Sequence, residues 1–185
     1  MTGGASSIRA FLALELASEL HERLAELMSD LRPRVAGVRW VRPEGIHLTL
    51  RFLGAAAPEQ LQSLGDALVD AARGCPAAVA VVRGLGVFPE RGQPRVLWVG
   101  LEIPPEVYSL QAACERAARQ AGFEREGRPF QPHLTLGRWR DRAARPALPA
   151  TDLGAAPLSV LTLFRSDLRP GGAVYTPLRR LSLGR

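Results

Sequence analysis

The sequence predicts an α+β fold in which two related halves, each built on a β-α-β-α-β pattern, enclose a central cleft. The tetrapeptide His-Leu-Thr-Leu occurs twice, at residues 47–50 and 133–136, which indicates an internal duplication. Strand-like segments are interspersed with helical segments in both halves. This pattern favours mainly antiparallel sheets with helices on their outer faces. We therefore expect residues 1–185 to form one domain of two lobes, related by a pseudo-twofold axis and each contributing one tetrapeptide.

The first half contains three predicted strands and two predicted helices. Ser18 is the predicted N-cap of the first helix, and Pro33 lies just beyond its end. A turn around Gly45 joins the second and third strands, and Pro58 lies in the first turn of the second helix. The predicted elements are strands at 8–16, 38–41 and 47–53 and helices at 18–31 and 58–73.

The second half begins with a predicted hairpin that has a long loop. Pro104 and Pro105 introduce a helix that Gly122 ends, and the second tetrapeptide strand follows Pro132. Residues 140–156 are rich in Ala, Pro and Arg and are predicted to form a surface loop. The remaining predicted elements are strands at 77–83, 96–101, 158–164 and 174–181, a helix that ends near 121, and a turn at 170–172.

The composition is that of a folded protein with a polyanionic partner. Hydrophobic residues make up 46% of the chain and charged residues 23%. The net charge is +6, which suits a polyanion, whereas the use of Arg for all 24 basic positions is typical of a GC-rich genome. Cys75 and Cys114 lie in unrelated contexts and predict reduced thiols. The chain shows neither a signal peptide nor a membrane span, so we expect a cytoplasmic protein.

The His and Thr of each tetrapeptide are predicted to share one face of a strand, because side chains alternate between faces along a strand. The two Leu residues of each copy then face the core. The alternation is expected to continue through Arg51 to Leu53 in the first half and through Gly137 to Arg138 in the second. If the halves are related by a twofold axis, the two His-Thr rows face one another across the cleft. The alternative is a pair of ordinary strands whose His and Thr merely face water.

Two histidines, hydroxyl groups and an arginine, without an acidic cluster, predict metal-free chemistry on a phosphodiester. Histidine has an unperturbed pKa of about 6.5, so His47 and His133 can act as a proton donor and a proton acceptor. Thr49, Thr135 and Arg138 can hold the non-bridging phosphate oxygens. A zinc site is the chemical rival, but no Cys, Asp or Glu stands at ligand spacing from either histidine. The third histidine, His21, lies among charged neighbours and is expected to be solvated.

The two tetrapeptides and their flanking residues resemble the 2H phosphoesterase superfamily. The resemblance is closer to its RNA 2′,3′-cyclic phosphodiesterases, historically called 2′-5′ RNA ligases. It extends over nearly the whole chain and rests on four segments, which read WVRPEGI at 40–46, FLG at 52–54, PRVLWVG at 94–100 and PHLTLGR at 132–138. The resemblance implies a bilobal fold and attack of water on a terminal 2′,3′-cyclic phosphate, which leaves a 2′-phosphate.

The resemblance also implies roles for individual residues. His47 corresponds to the proton donor for the departing O3′, and His133 to the proton acceptor that activates water. Arg138 corresponds to the phosphate-binding residue, and Phe52 to a ring that stacks on the terminal base, unless Phe52 is an aromatic residue of the core. The implied partner is RNA ending in a cyclic phosphate. A monomer without metal, cofactor or membrane contact is expected.

Two other functions are compatible with the sequence. The same site could join RNA ends through 2′-5′ linkages, since ligation is the reverse attack on the same cyclic phosphate, or could hydrolyse small cyclic nucleotides. A basic module that only binds RNA ends is a non-enzymatic alternative. Binding alone, however, does not need both histidines.

Overall fold

Two antiparallel sheets and three α-helices make up the computed structural model, which describes residues 7–170 and 172–184. The elements are β1 (Ile8–Leu14), α1 (Ser18–Leu31), β2 (Val38–Trp40), a 3₁₀ turn (Pro43–Gly45), β3 (Leu48–Ala56), α2 (Pro58–Arg73), β4 (Ala78–Phe88), β5 (Val96–Glu102), α3 (Pro105–Gln120), β6 (His133–Trp139), β7 (Asp152–Leu158), β8 (Val160–Arg169) and β9 (Gly172–Ser182).

The two sheets repeat one arrangement around the two tetrapeptides. The first sheet has the strand order β3-β1-β8-β9, and the second has the order β2-β6-β5-β4-β7. In the first sheet β3, which begins at Leu48 just after His47, pairs with β1. In the second sheet β6, which contains the whole second tetrapeptide, pairs with β5, and β2 lies beyond β6. Along the chain, a helix lies between the two strands of each pair: α1 lies between β1 and β3, and α3 lies between β5 and β6. This arrangement confirms the α+β class with antiparallel sheets, and the second half has one helix within the described residues.

The helices cover the outer faces of the sheets with apolar stripes. Leu20, Leu24 and Met28 of α1 are buried at intervals of four residues, as expected for one face of a helix. Helices α2 and α3 pack against each other, while α2 also contacts β9 and α3 contacts β3. The core therefore lies between helices and sheets. No helix of the described residues is long and apolar enough to cross a membrane.

The two cysteines belong to this core. Cys75 and Cys114 are free and buried, as the sequence predicted for reduced thiols. Burial raises the pKa of Cys114 to about 12 and also raises that of Cys75, so both thiols stay protonated near neutral pH.

Several of the predicted elements differ from the structure. Ala17, not Ser18, is the N-cap of α1, and the Ser18 hydroxyl instead donates to the Glu19 carboxylate at 3.3 Å. The predicted loop at 140–156 ends in a strand, because residues from Asp152 onward pair with β4 as β7. The predicted strand at 77–83 continues to Phe88 through a β-bulge. The predicted turn at 170–172 falls partly outside the described residues.

Candidate active site

Both tetrapeptide histidines are held in the same way by the backbone. Nδ1 of His47 donates a hydrogen bond to the carbonyl of Gly45 at 2.8 Å, and Nδ1 of His133 donates to the carbonyl of Gln131 at 2.7 Å. A carbonyl oxygen can only accept, so Nδ1 carries a proton in each ring. In the neutral ring, Nε2 is then the nitrogen that can exchange a proton with a bound molecule.

Each tetrapeptide strand contains a β-bulge at the third residue after its histidine. In the pairing of β1 with β3, Ala13 is opposite Thr49 and Leu12 is opposite Arg51, so Leu50 is the extra residue. In the pairing of β5 with β6, Trp98 is opposite Thr135 and Leu97 is opposite Gly137, so Leu136 is the extra residue. The duplication thus includes the irregularity as well as the sequence.

Because each bulge adds one residue to its strand, the residues after it point to the opposite face of the sheet from the one that simple alternation predicts. Arg51 comes to share the core-facing side with Leu12 and is only 8% exposed. Its Nε lies 2.5 Å from a carboxylate oxygen of Glu115, and its Nη1 lies 3.8 Å from one of Glu126. The expectation that alternation continues through Arg51 is therefore wrong, and this guanidinium is committed to an internal ion pair.

The residues five positions after each histidine come to lie on the cleft side. Phe52 is directly opposite Phe11, and their ring centroids are 6.1 Å apart. The Phe52 ring is 47% exposed, which excludes the alternative that it is a core aromatic. Arg138 is opposite Val96, which lies two residues before Trp98 and so shares its face. Strict alternation would have put Arg138 on the face opposite to His133.

The ring of His47 lies in an aromatic cluster. Its centroid is 4.6 Å from that of Phe11, in a stacked arrangement, and 5.2 Å from that of Tyr175, which meets it edge-on. Burial lowers the pKa of His47 to about 4, the hydrogen bond to Gly45 opposes this, and the charges of His133 and His21 lower it further. His47 is therefore neutral near pH 7 in the unliganded protein.

His133 has a similar but less enclosed environment. Phe88 meets its ring edge-on at 5.0 Å between centroids, and the Trp98 centroid lies at 6.5 Å. Burial lowers the pKa of His133, the hydrogen bond to Gln131 opposes this, and the charge of Arg138 lowers it further. Because the charge of His133 also acts on His47, the two imidazoles lie close enough to interact across the cleft.

Tyr175 belongs to this cleft and was not singled out by the sequence. It comes from β9, far from either tetrapeptide, and its ring contacts His47 as described above. Burial raises the pKa of Tyr175, while the charges of Arg138 and Arg9 lower it. These three side chains are thus neighbours. Only the pairing of β9 with β8 brings Tyr175 here, so no local sequence signal could have identified it.

The third histidine is not the solvated residue that its charged neighbours predicted. His21 is half-buried on α1, and its Nε2 donates to the carbonyl of Ile46 at 3.1 Å. This hydrogen bond therefore holds the backbone of Ile46, the residue immediately before His47.

The cleft as a whole combines two opposed imidazoles, the hydroxyls of Thr49 and Thr135, and the guanidinium of Arg138. A separate depression of about 420 Å³ lies beside Phe52, between the edge of β3 and residues 122–126. Within residues 7–170 and 172–184, no group of three or more His, Cys, Asp or Glu side chains is arranged to hold a metal ion. The imidazoles of the cleft can exchange protons, and its hydroxyl groups and guanidinium can bind an anion.

One known protein family matches most of this chain. A family model described as LigT-like phosphoesterase matches residues 14–98 and 100–175. The chain belongs to this family. Among its LigT-like relatives, RNA 2′,3′-cyclic phosphodiesterase of Thermus thermophilus is 36% identical over 188 residues, covering 95% of this chain and 90% of the relative. The protein of the same name from Methanothermobacter thermautotrophicus is 34% identical over 178 residues, covering 92% of this chain and 96% of the relative.

Solved structures share the whole fold of this chain. The crystal structure of TT0787 of Thermus thermophilus superposes with a TM-score of 0.85 at 33% identity, covering 96% of this chain and all 100% of the other. Escherichia coli LigT complexed with 3′-AMP superposes with a TM-score of 0.84 at 26% identity, covering 97% of this chain and 99% of the other. The likeness therefore includes both sheets and the cleft between them.

Proposed function

We propose that this LigT-like phosphoesterase hydrolyses the 2′,3′-cyclic phosphate at the end of an RNA chain to a 2′-phosphate. The observation that carries the proposal is the pair of histidines, each fixed through Nδ1 to a backbone carbonyl and close enough for the charge of His133 to lower the pKa of His47. Relatives that match over nearly their full length are named RNA 2′,3′-cyclic phosphodiesterase. The net charge of +6 suits an RNA substrate.

In the proposed reaction, the two histidines work on opposite sides of the phosphorus atom. Nε2 of His133 takes a proton from water as the water oxygen bonds to phosphorus. The bond between phosphorus and O3′ breaks, and Nε2 of His47 gives its proton to O3′, which leaves the phosphate on O2′. An in-line displacement needs its acid and base on opposing walls, and the two sheets supply one each. Exchange with solvent then restores both protonation states.

Arg138 and the threonine hydroxyls bind the non-bridging oxygens in this proposal. A guanidinium can hold two oxygens through parallel hydrogen bonds, and Thr49 and Thr135 approach from the two walls. The negative charge of the bound phosphate raises the pKa values of both histidines, which are low in the unliganded protein. The substrate thereby promotes protonation of His47. Its low intrinsic pKa makes His47 a strong acid toward the departing O3′.

Phe52 stacks on the terminal base in this proposal. Its ring is exposed on the cleft side, and the depression beside it gives a base room to lie against that ring. Stacking on one aromatic ring accepts any of the four bases, because each has a π-face.

The remaining parts of the proposal concern the form in which the protein acts. The two lobes act as a single domain, because each contributes one histidine to the same reaction. The protein acts as a cytoplasmic monomer without a metal. Hydrolysis of small cyclic nucleotides is a second candidate, favoured by the structure of Escherichia coli LigT complexed with 3′-AMP.

The proposal is tested with an RNA oligonucleotide that ends in a 2′,3′-cyclic phosphate. We expect conversion to a 2′-phosphate, identified by mass and by comparison with authentic 2′- and 3′-phosphate ends. His47→Gln and His133→Gln should each lower kcat by roughly 10² to 10⁴, the usual contribution of a positioned acid or base. Arg142→Gln, at an exposed position in the loop after β6, is the control. A 3′-phosphate product, or near-normal turnover by either histidine variant, would refute the proposal.

A further inference from the structure

We infer that Arg39 binds the first internucleotide phosphate of the RNA, next to the cyclic phosphate held by Arg138. The inference rests on the proposed function and extends it, because it assigns a second phosphate site outside the reacting groups. The ligand class is a phosphodiester of a nucleic acid strand. Such a site would make the enzyme favour oligonucleotides over mononucleotides.

The first observation is the register of β2 on β6. Arg39 is directly opposite Arg138 in this antiparallel pair, so the two side chains emerge on the same face of the sheet with their Cβ atoms about 5 Å apart. The bulge at Leu136 turns Arg138 to the cleft side, and the same register therefore brings Arg39 to that side. Without the bulge in β6, both guanidinium groups would be on the face of the sheet opposite to His133.

The second observation is the absence of a counter-charge within the described part of the chain. The ion pairs found there involve Arg51, Arg83 and other arginines, but neither Arg39 nor Arg138. Like charges directly opposite on neighbouring strands destabilise a sheet. An anion bound between or beside the two guanidinium groups removes this repulsion, so the pair is suited to a ligand with more than one phosphate.

The third observation is where the Arg39 guanidinium is anchored. Its Nη2 donates to the carbonyl of Pro170 at 2.8 Å, in the hairpin between β8 and β9 of the other sheet. Arg39 thus reaches from one wall of the cleft to the other. A guanidinium has five N–H donors, so four remain for a ligand.

The two arginines act at different depths in the cleft. The charge of Arg138 lowers the pKa values of both His133 and Tyr175, and Arg138 is on the same strand as His133. Arg39 is one strand farther out, on β2 at the edge of the sheet. Arg39 therefore lies farther from the reacting atoms than Arg138 does. A phosphate bound there belongs to the chain that leads away from the cyclic end, and not to the cyclic phosphate itself.

The test compares two substrates with one variant. Wild type and Arg39→Gln are assayed on a nucleoside 2′,3′-cyclic monophosphate and on a ten-nucleotide RNA that ends in the same cyclic nucleotide. We expect Arg39→Gln to lower kcat/KM for the RNA by roughly tenfold, mainly through KM, which is the effect of losing a charge-assisted hydrogen bond. The mononucleotide should change by less than about twofold, since it has no second phosphate.

Salt dependence and two further variants separate this role from others. Arg39→Gln should reduce the slope of log(kcat/KM) against log salt for the RNA by about 1, the contribution of one phosphate contact. Arg39→Lys keeps the charge and should retain most of that slope, and Arg142→Gln should change neither substrate. Melting temperatures of all variants report whether the bond to Pro170 matters for folding.

Three outcomes would overturn the inference. An equal loss on both substrates would mean that Arg39 serves the cyclic phosphate or the fold, and no loss on either would mean that it contacts no phosphate. If wild type hydrolyses neither substrate, the proposed function fails instead. In that case, equilibrium binding of a ten-nucleotide RNA with a 3′-phosphate still tests Arg39, because equal affinity of wild type and Arg39→Gln would overturn its phosphate site.

Discussion

The low pKa of His47 predicts that the folded protein loses stability in mild acid because of this one residue. In the unfolded chain the ring has a pKa of about 6.5, while burial lowers it to about 4 in the fold. Below pH 6.5 the unfolded state therefore binds a proton that the folded state does not. Above pH 6.5 the ring is neutral in both states and its titration does not affect stability, and stability is lost as the pH falls from 6.5 toward 4.

The size of the effect follows from the two pKa values. The full difference corresponds to about 3 kcal/mol, of which about 2 kcal/mol is lost by pH 5. Urea unfolding at pH 7.5 and pH 5.0, followed by circular dichroism, measures the free energy of unfolding at each pH. Wild type should lose about 2 kcal/mol more than His47→Gln does over this range, because the glutamine does not titrate.

The comparison measures the titration of His47 together with its charge interaction with His133, because groups that do not interact with His47 act equally in both proteins. His133→Gln should also reduce the pH dependence, since burial lowers the pKa of His133 in the same direction. If wild type and His47→Gln lose the same stability between pH 7.5 and 5.0, the ring of His47 is not desolvated in the fold. Such a result would mean that burial does not lower the pKa of His47.

The remaining predictions concern activity on RNA ending in a cyclic phosphate. Arg138→Lys should lower kcat by an amount that corresponds to about 1.5 to 3 kcal/mol of activation free energy, because an ammonium cannot form two parallel hydrogen bonds. An unchanged kcat would mean that another residue binds the phosphate. Phe52→Ala should raise KM by an amount that corresponds to about 1 to 3 kcal/mol of binding free energy, with little change in melting temperature, since the Phe52 ring is exposed. A large fall in melting temperature with a normal KM would contradict stacking. The profile of kcat/KM against pH should have its maximum below pH 6.5, because the pKa values of His47 and His133 are lowered in the free protein. A maximum above pH 8 would contradict the lowered pKa values. Excess EDTA should leave turnover unchanged, and activity that is lost in EDTA and restored by a divalent ion would indicate a metal mechanism.

The cleft shows where reasoning from the sequence succeeds. The repeated tetrapeptide singled out His47 and His133, whose catalytic role stays a prediction, and strand alternation put Thr49 and Thr135 on the same side as their histidines. These inferences needed only local geometry, because the two-residue period holds as long as a strand is regular. Helix α2 was likewise predicted with its observed bounds, since Pro58 and the apolar period are local signals.

Side chains beyond the tetrapeptides depended on pairing between distant strands. The bulges at Leu50 and Leu136 exist only relative to β1 and β5, yet they decide which arginine reaches the cleft. They bury Arg51 in an ion pair and turn Arg138 toward His133. The prediction for Arg138 rested on the chemistry of phosphate binding and on resemblance, and not on strict alternation, which would have directed its side chain away from His133.

Contacts from distant parts of the chain were beyond the sequence for the same reason. His21 reaches the carbonyl of Ile46 from α1, and Tyr175 reaches His47 from β9. The sequence by itself determined that two histidines occur in a repeated strand pattern, although His47 lies immediately before β3 and not within it. The tertiary structure decided which side chains meet in the cleft and how far their pKa values shift, because both depend on packing between segments that are far apart along the chain.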